Sequence, residues 1–132
     1  MLSATADHAL RAVLFLAQQP VGRVTSADDI ADAIGAPRNY LSKTLNTLTK
    51  AGITTSAPGR RGGFTLAVTP AELTLHRLVN VFDGEPTLRR CLLGNRPCSP
   101  EHPCGAHQRW TSIDRAADAG LRSTTVADLL GA

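Results

Sequence analysis

Ser26-Ala27-Asp28-Asp29-Ile30-Ala31-Asp32-Ala33-Ile34-Gly35-Ala36-Pro37-Arg38-Asn39-Tyr40-Leu41-Ser42-Lys43-Thr44-Leu45-Asn46-Thr47-Leu48-Thr49-Lys50-Ala51-Gly52 is the stretch whose reading decides the fold. Ser26 and Asp29 form a capping-box pair with aspartate in place of the usual glutamate. Ile30, Ala31 and Ile34 then share one helical face before Gly35 stops the helix. Pro37 opens a second helix, where its missing amide hydrogen costs little, and Leu41, Leu45 and Leu48 supply a buried stripe as far as Gly52. Two short helices joined by a tight Gly35-Ala36-Pro37 turn make a helix-turn-helix.

Upstream, Ala6, Ala9, Leu10, Val13, Leu14 and Ala17 recur at helical spacing and predict an amphipathic helix from Ala4 to Gln19, ended by Pro20 and Gly22. Downstream, Ile53 to Ser56 and Phe64 to Val68 read as short strands. They are joined through Pro58-Gly59-Arg60-Arg61-Gly62-Gly63, a glycine-rich turn with arginines at its tip. A helix from Leu75 to Phe82 follows, capped by Thr74, stopped near Gly84, with Leu78, Val79 and Phe82 inward. A further helix from Gly105 to Leu121 carries Trp110, Ile113, Ala117 and Leu121, and a helical turn from Val126 to Leu130 closes the chain. The expected fold is mainly α with a small β-hairpin wing. It divides into a winged helix-turn-helix over residues 1–84, a cysteine-rich loop over 85–104, and a dimerisation helix with a terminal helical turn over 105–132.

A chain of 132 residues suits one domain with an appended arm. Hydrophobic residues make up 42%, yet only one Trp, one Tyr and three Phe are among them, so Leu, Val, Ile and Ala build the core and favour helices. No apolar run approaches the roughly 20 residues of a membrane span, and the N-terminus lacks a secretory pattern, so the expected location is the cytoplasm, away from membrane. The net charge of +3 is modest but unevenly spread: no acidic residue lies between Asp32 and Glu72, an interval that holds Arg38, Lys43, Lys50, Arg60 and Arg61.

All three cysteines fall in one stretch with a histidine, Cys91-Leu92-Leu93-Gly94-Asn95-Arg96-Pro97-Cys98-Ser99-Pro100-Glu101-His102-Pro103-Cys104-Gly105-Ala106-His107. Proline and glycine prevent a continuous helix there, so the loop can fold back and converge its sulfurs. Three thiols cannot all pair within one chain, and soft sulfur with imidazole suits either an iron-sulfur cluster or zinc.

In a helix-turn-helix, the first residues of the second helix approach base edges while the wing and the preceding helix hold phosphates. Here those residues are Arg38, Asn39, Tyr40, Ser42, Lys43 and Thr44. Asn can pair with adenine, Arg or Lys with guanine, and hydroxyls serve either bases or phosphates. Arg60 and Arg61, flanked by Gly62 and Gly63, suit the minor groove. Tyr40 is expected to pack on the first helix and position rather than read.

The chain resembles the IscR and NsrR (Rrf-type) family of bacterial regulators. The likeness rests on Asp7-His8-Ala9-Leu10-Arg11-Ala12, on Tyr40-Leu41-Ser42-Lys43 with Leu48 and Lys50-Ala51-Gly52-Ile53, on Gly59-Arg60-Arg61-Gly62-Gly63-Phe64, and on the cysteine loop. The resemblance implies a homodimeric transcription factor, usually a repressor, that binds a double-stranded operator with an affinity tuned by an iron-sulfur cluster. It assigns the cluster to Cys91, Cys98 and Cys104. The fourth ligand in the family is a histidine at the place of His107 or, in some members, an aspartate in the first helix of the other subunit, at the place of Asp7. A helix beginning near Gly105 would set His107 one turn from Cys104, which favours the imidazole. Six residues rather than the family's five separate Cys91 from Cys98, which widens the loop and leaves a two-iron or four-iron cluster, and the fourth ligand, open.

On this reading nitric oxide, redox state or iron supply is the signal, and Trp110 and Ile113 are candidate dimer contacts. A winged-helix regulator with structural zinc at the same three cysteines and histidine is the alternative, followed by a winged-helix protein-interaction module. An enzyme is excluded by the lack of a phosphate-cradling loop or a nucleophile with its base and orienting group.

Overall fold

Four helices begin in one way: a hydroxyl accepts the backbone amide three residues on, satisfying a donor that the first helical turn would otherwise leave unpaired. Ser3 does this for Ala6 and starts α1 (Ala4–Ala17). Ser26 does it for Asp29 at 3.1 Å and starts α2 (Ala27–Ile34). Thr74 starts α4 (Leu75–Asp83) through the Arg77 amide. Thr125 starts α6 (Val126–Leu129) with a full capping box, its own amide donating to Asp128 Oδ2 at 2.8 Å. Between them lie α3 (Arg38–Lys50), β1 (Thr54–Ala57), β2 (Gly63–Leu66) and α5 (His107–Ser123). The structure, a computed structural model, describes residues 2–84, 101, 105 and 107–131, with His107 through its backbone alone.

One apolar cluster unites these elements. Ala9, Ala12 and Val13 of α1, Ile30 and Ala31 of α2, Leu41, Leu45 and Leu48 of α3, and Leu78 of α4 are all fully buried, with Ile53, Leu73 and Val126 between the elements. Burying such aliphatic side chains contributes roughly 1.5–3 kcal/mol each. Val126 brings the C-terminal turn back onto this core. The Leu75 amide donates to the Thr124 carbonyl and the Val126 amide to the Leu73 carbonyl, both at 2.9 Å, so the start of α4 is tied to the end of α5.

Gly35 ends α2 in the left-handed conformation at φ 73°, where a side chain would be strained. Pro37 takes extended angles and serves as the N-cap of α3, one residue earlier than the helical position expected of it; its ring fixes the entry angle but offers no side-chain acceptor. The strands are shifted as well. Ile53 was expected to begin the first but is a core plug whose carbonyl accepts the Ala67 amide at 2.9 Å. The hairpin pairs Thr54 with Leu66 and Ala57 with Gly63.

The hairpin is joined to the helix-turn-helix by a backbone exchange. Phe64 donates to the Thr25 carbonyl at 2.8 Å, and Thr25 donates to the Phe64 carbonyl at 3.1 Å, just before α2 begins. A Cβ on Gly63 would lie 2.2 Å from the Thr25 carbonyl oxygen, closer than any such atom can sit. Gly63→Ala is therefore expected to destabilise the fold by about 1–3 kcal/mol, read as a lower urea midpoint with an unchanged slope. An unchanged midpoint would show that the exchange is not tight in solution.

Candidate nucleic-acid interface

The buried stripe of α3 decides which of its residues face outward. With Leu41, Thr44, Leu45 and Leu48 buried, the opposite face carries Asn39, Lys43, Asn46, Thr47 and Lys50, all exposed, with Ser42 at the margin. These positions recur at intervals of three and four, so they line one side of the helix. Asn46 and Thr47 were missed by attention to the helix N-terminus alone. Their signal was present in the sequence as the complement of the leucine stripe.

The structure distributes the other expected recognition residues differently. Thr44 is 3% exposed and its hydroxyl donates to the Tyr40 carbonyl at 3.2 Å, which turns it inward. Tyr40 is half-buried: its hydroxyl shares a hydrogen bond with the Thr5 hydroxyl, and its ring meets His8 edge-on at 5.4 Å. This fixes the first turn of α3 against α1, as expected of a positioning aromatic. Arg38 is exposed but engaged. Its Nη2 donates to both carboxylate oxygens of Asp32, at 3.0 and 3.2 Å, and its Nη1 lies 3.7 Å from Asp28.

At the wing, Arg60 and Arg61 are exposed at the tip of the turn. Gly62 and Gly63 serve the turn itself, since a Cβ at either would meet backbone oxygens of Ala57 or Thr25 at 2.2 Å. Lys43 and Lys50 on α3 and Arg60 and Arg61 on the wing are thus cations on two neighbouring elements, with no acidic residue in the chain between Asp32 and Glu72. Such a surface suits a polyanion.

Of the candidate metal ligands, Asp7 sits in the first turn of α1, paired with Arg11 at 2.9 Å. Cys91, Cys98 and Cys104 lie outside the described residues, and His107 is the first residue of α5. Among the described residues, no three His, Cys, Asp or Glu group as a metal site. The two candidate dimer residues part company on α5. Trp110 is half-buried on the side shared with Ala117 and Leu121, whereas Ile113 is 53% exposed. No helix among the described residues is long and apolar enough to cross a membrane.

A capped α2, an exposed polar face on α3 and a wing clamped beside them define a winged helix-turn-helix. The Rrf2 family model, described as an iron-dependent transcriptional regulator, matches residues 2–132, and the chain belongs to that family of transcription regulators; it is not an enzyme. An Aquifex aeolicus protein named as an HTH-type transcriptional regulator is 31% identical over 132 residues, covering 98% of this chain and 91% of that protein. A Mycobacterium tuberculosis protein of the same description is 34% identical over 135 residues, covering 98% of this chain and 81% of its own length. Among solved structures, CymR, the global cysteine regulator of B. subtilis, superposes with a TM-score of 0.79 at 25% identity, over 99% of this chain and 96% of that one. T. potens IscR shares the fold with a TM-score of 0.76 at 24% identity, over 99% of this chain and 86% of that one.

If the exposed face of α3 meets DNA, Lys43→Ala should weaken binding to any duplex and reduce the slope of log affinity against log salt by about one. Tyr40→Phe should instead leave that slope unchanged and cost about 1 kcal/mol of folding stability through the lost hydrogen bond to Thr5. Salt titrations by fluorescence anisotropy, with urea melts alongside, separate the two roles. Equal salt slopes for Lys43→Ala and the parent would remove Lys43 from the interface.

Proposed function

We propose that this regulator acts as a homodimeric repressor whose operator affinity is set by an iron-sulfur cluster held by Cys91, Cys98, Cys104 and His107. The observation that carries the reading is the donor set. Every thiol of the chain stands within one proline- and glycine-bearing stretch, and the imidazole residue follows the last of them at the first position of α5. Three thiolates and a neutral imidazole fit an iron-sulfur cluster of Rieske-like mixed ligation better than a hard cation. The family's description as iron-dependent agrees. When bound, the cluster supplies a centre whose oxidation, nitrosylation or loss reports redox state, nitric oxide or iron supply.

The residues around the loop are suited to carry such a signal. The cysteine stretch joins the end of α4 to the start of α5, while the opposite ends of these helices are held by the Thr74 and Thr125 backbone pairing. Asp83, the last residue of α4, accepts hydrogen bonds from both the amide and the hydroxyl of Ser3, the N-cap of α1. A change in the loop therefore acts on a helix latched to the DNA-binding unit. A shift of 1–3 kcal/mol between two arrangements suffices to change operator occupancy. Ile113, outward on α5, is the contact assigned to the dimer seam, with Trp110 supporting it from the inner side. His107 is favoured over Asp7 as the fourth ligand because it follows Cys104 by three residues and imidazole is a softer donor than a carboxylate.

Anaerobic purification should yield a brown protein with iron and acid-labile sulfide in equal amounts, and its absorption bands distinguish two-iron from four-iron types. Cys98→Ala should be colourless and differ from the holo protein in operator affinity. His107→Ala should shift the bands, and Asp7→Ala should leave them in place. A colourless parent with one zinc per chain would replace the cluster with a structural metal.

A further inference from the structure

We propose that Asp32, assisted by Asp28, is a specificity-determining residue of the DNA interface, acting through Arg38 to hold its guanidinium for a base edge and to penalise contacts with phosphate alone. The proposal rests on the family assignment as a DNA-binding regulator.

Arg38 is the first residue of α3, where side chains of a recognition helix reach base edges. Its side chain is 58% exposed, and those of Asp28 and Asp32 are 63% and 62% exposed, so the triad stands on the outer surface. Exposed ion pairs contribute little to stability, with a median of about 0–1 kcal/mol. A structural clip between α2 and α3 is therefore a poor account of it; the Ile30, Ala31, Leu41 and Leu45 core already holds these helices together.

The geometry offers a better account. Nη2 is the atom that donates to Asp32, and Nη1 stands at ion-pair distance from Asp28. A guanidinium has five N–H donors, so the Nε–H remains available while Asp32 holds Nη2. A guanine acceptor, which carries no net charge, can take that single donor without breaking the pair. A phosphate is different. To neutralise one, Arg38 must leave Asp32, and the two freed carboxylates then face a polyanion.

Their position makes this cost local. Asp28, Asp29 and Asp32 are the last acids before a run without any that extends to Glu72, so α3 and the wing themselves supply no negative charge near the contact. Lys43, Lys50, Arg60 and Arg61 are exposed cations that phosphate contacts can use without regard to sequence. Asp32 restrains Arg38, the cation at the first position of α3.

The test is Asp32→Asn, which removes the charge and keeps the shape. The probes are a pool of random 30-base-pair duplexes and a single duplex selected from that pool by the parent protein, with binding read by anisotropy across a salt series. Asp32→Asn is expected to bind the random pool about fivefold tighter, with a salt slope steeper by about one, and the selected duplex within about twofold of the parent. The gain should vanish in the Arg38→Ala background, because Asp32 acts through that guanidinium. Unchanged affinity for the random pool would overturn the proposal, as would a parallel loss on both probes or a gain that persists in full without Arg38. Failure of the parent to bind either probe would instead sink the DNA reading itself. A thermal melt of each variant confirms that the exposed substitutions leave the fold intact.

Discussion

The backbone exchange between Thr25 and Phe64 is the constraint on which the DNA-binding unit depends. It joins the residue just before the N-cap of α2 to the returning strand of the wing, so helix-turn-helix and hairpin move as one body. A two-stranded hairpin is marginally stable on its own. Here it acquires a third backbone partner, and Phe64 is buried in the same core cluster as Ile30 and Leu48. Gly63 permits the approach because it has no side chain to meet the Thr25 carbonyl. The arginines at the tip can then be displayed at a fixed distance from α3 even though they make no fold contacts themselves.

What the sequence disclosed follows the range of the forces involved. Capping residues and apolar spacing act within one or two turns, so α1, α2, α4 and α6 were legible to within a residue or two, and the Leu41, Leu45, Leu48 stripe correctly oriented α3. Pro37 was misplaced by one residue because the same fixed φ serves both the first helical position and an extended cap. Ile53 was taken for strand because β-branched residues suit both a pleated surface and a core plug; only the Ala67 pairing and its complete burial distinguish them. On α5, Trp110, Ala117 and Leu121 share the half-buried side, whereas Ile113 is exposed. The packing side is shared by the polar Asp114 and Asp118, which hydropathy alone assigns to solvent.

Recognition residues were less legible than the fold because exposure and availability are distinct. Arg38, Tyr40 and Thr44 all lie in the first two turns of α3, yet long-range or local partners claim each of them. Asp28 and Asp32 hold Arg38, Thr5 and His8 hold Tyr40, and the Tyr40 carbonyl takes the Thr44 hydroxyl. None of these pairings is fixed by residue type. Asn46 and Thr47 show the converse. No motif marks them, but once the leucines are buried their outward placement is a geometric necessity.

The first turn of α1 gathers more than its share of these attachments. Ser3 caps it and binds Asp83 at the end of α4; Thr5, within it, and His8, just beyond, hold Tyr40 at the start of α3. The same short segment thus touches the helix that leads into the cysteine stretch and the helix with the exposed polar face. Both attachments are made through hydroxyls and a carboxylate, which are directional and near the surface, while the α1 residues beneath them, Ala6, Ala9 and Ala12, are small and fully buried. Small side chains let the neighbouring backbones come close, and close-packed interiors transmit displacement rather than absorb it. If the proposed signal moves Asp83, these contacts offer a route through the start of α1 to Tyr40 and the outer face of α3.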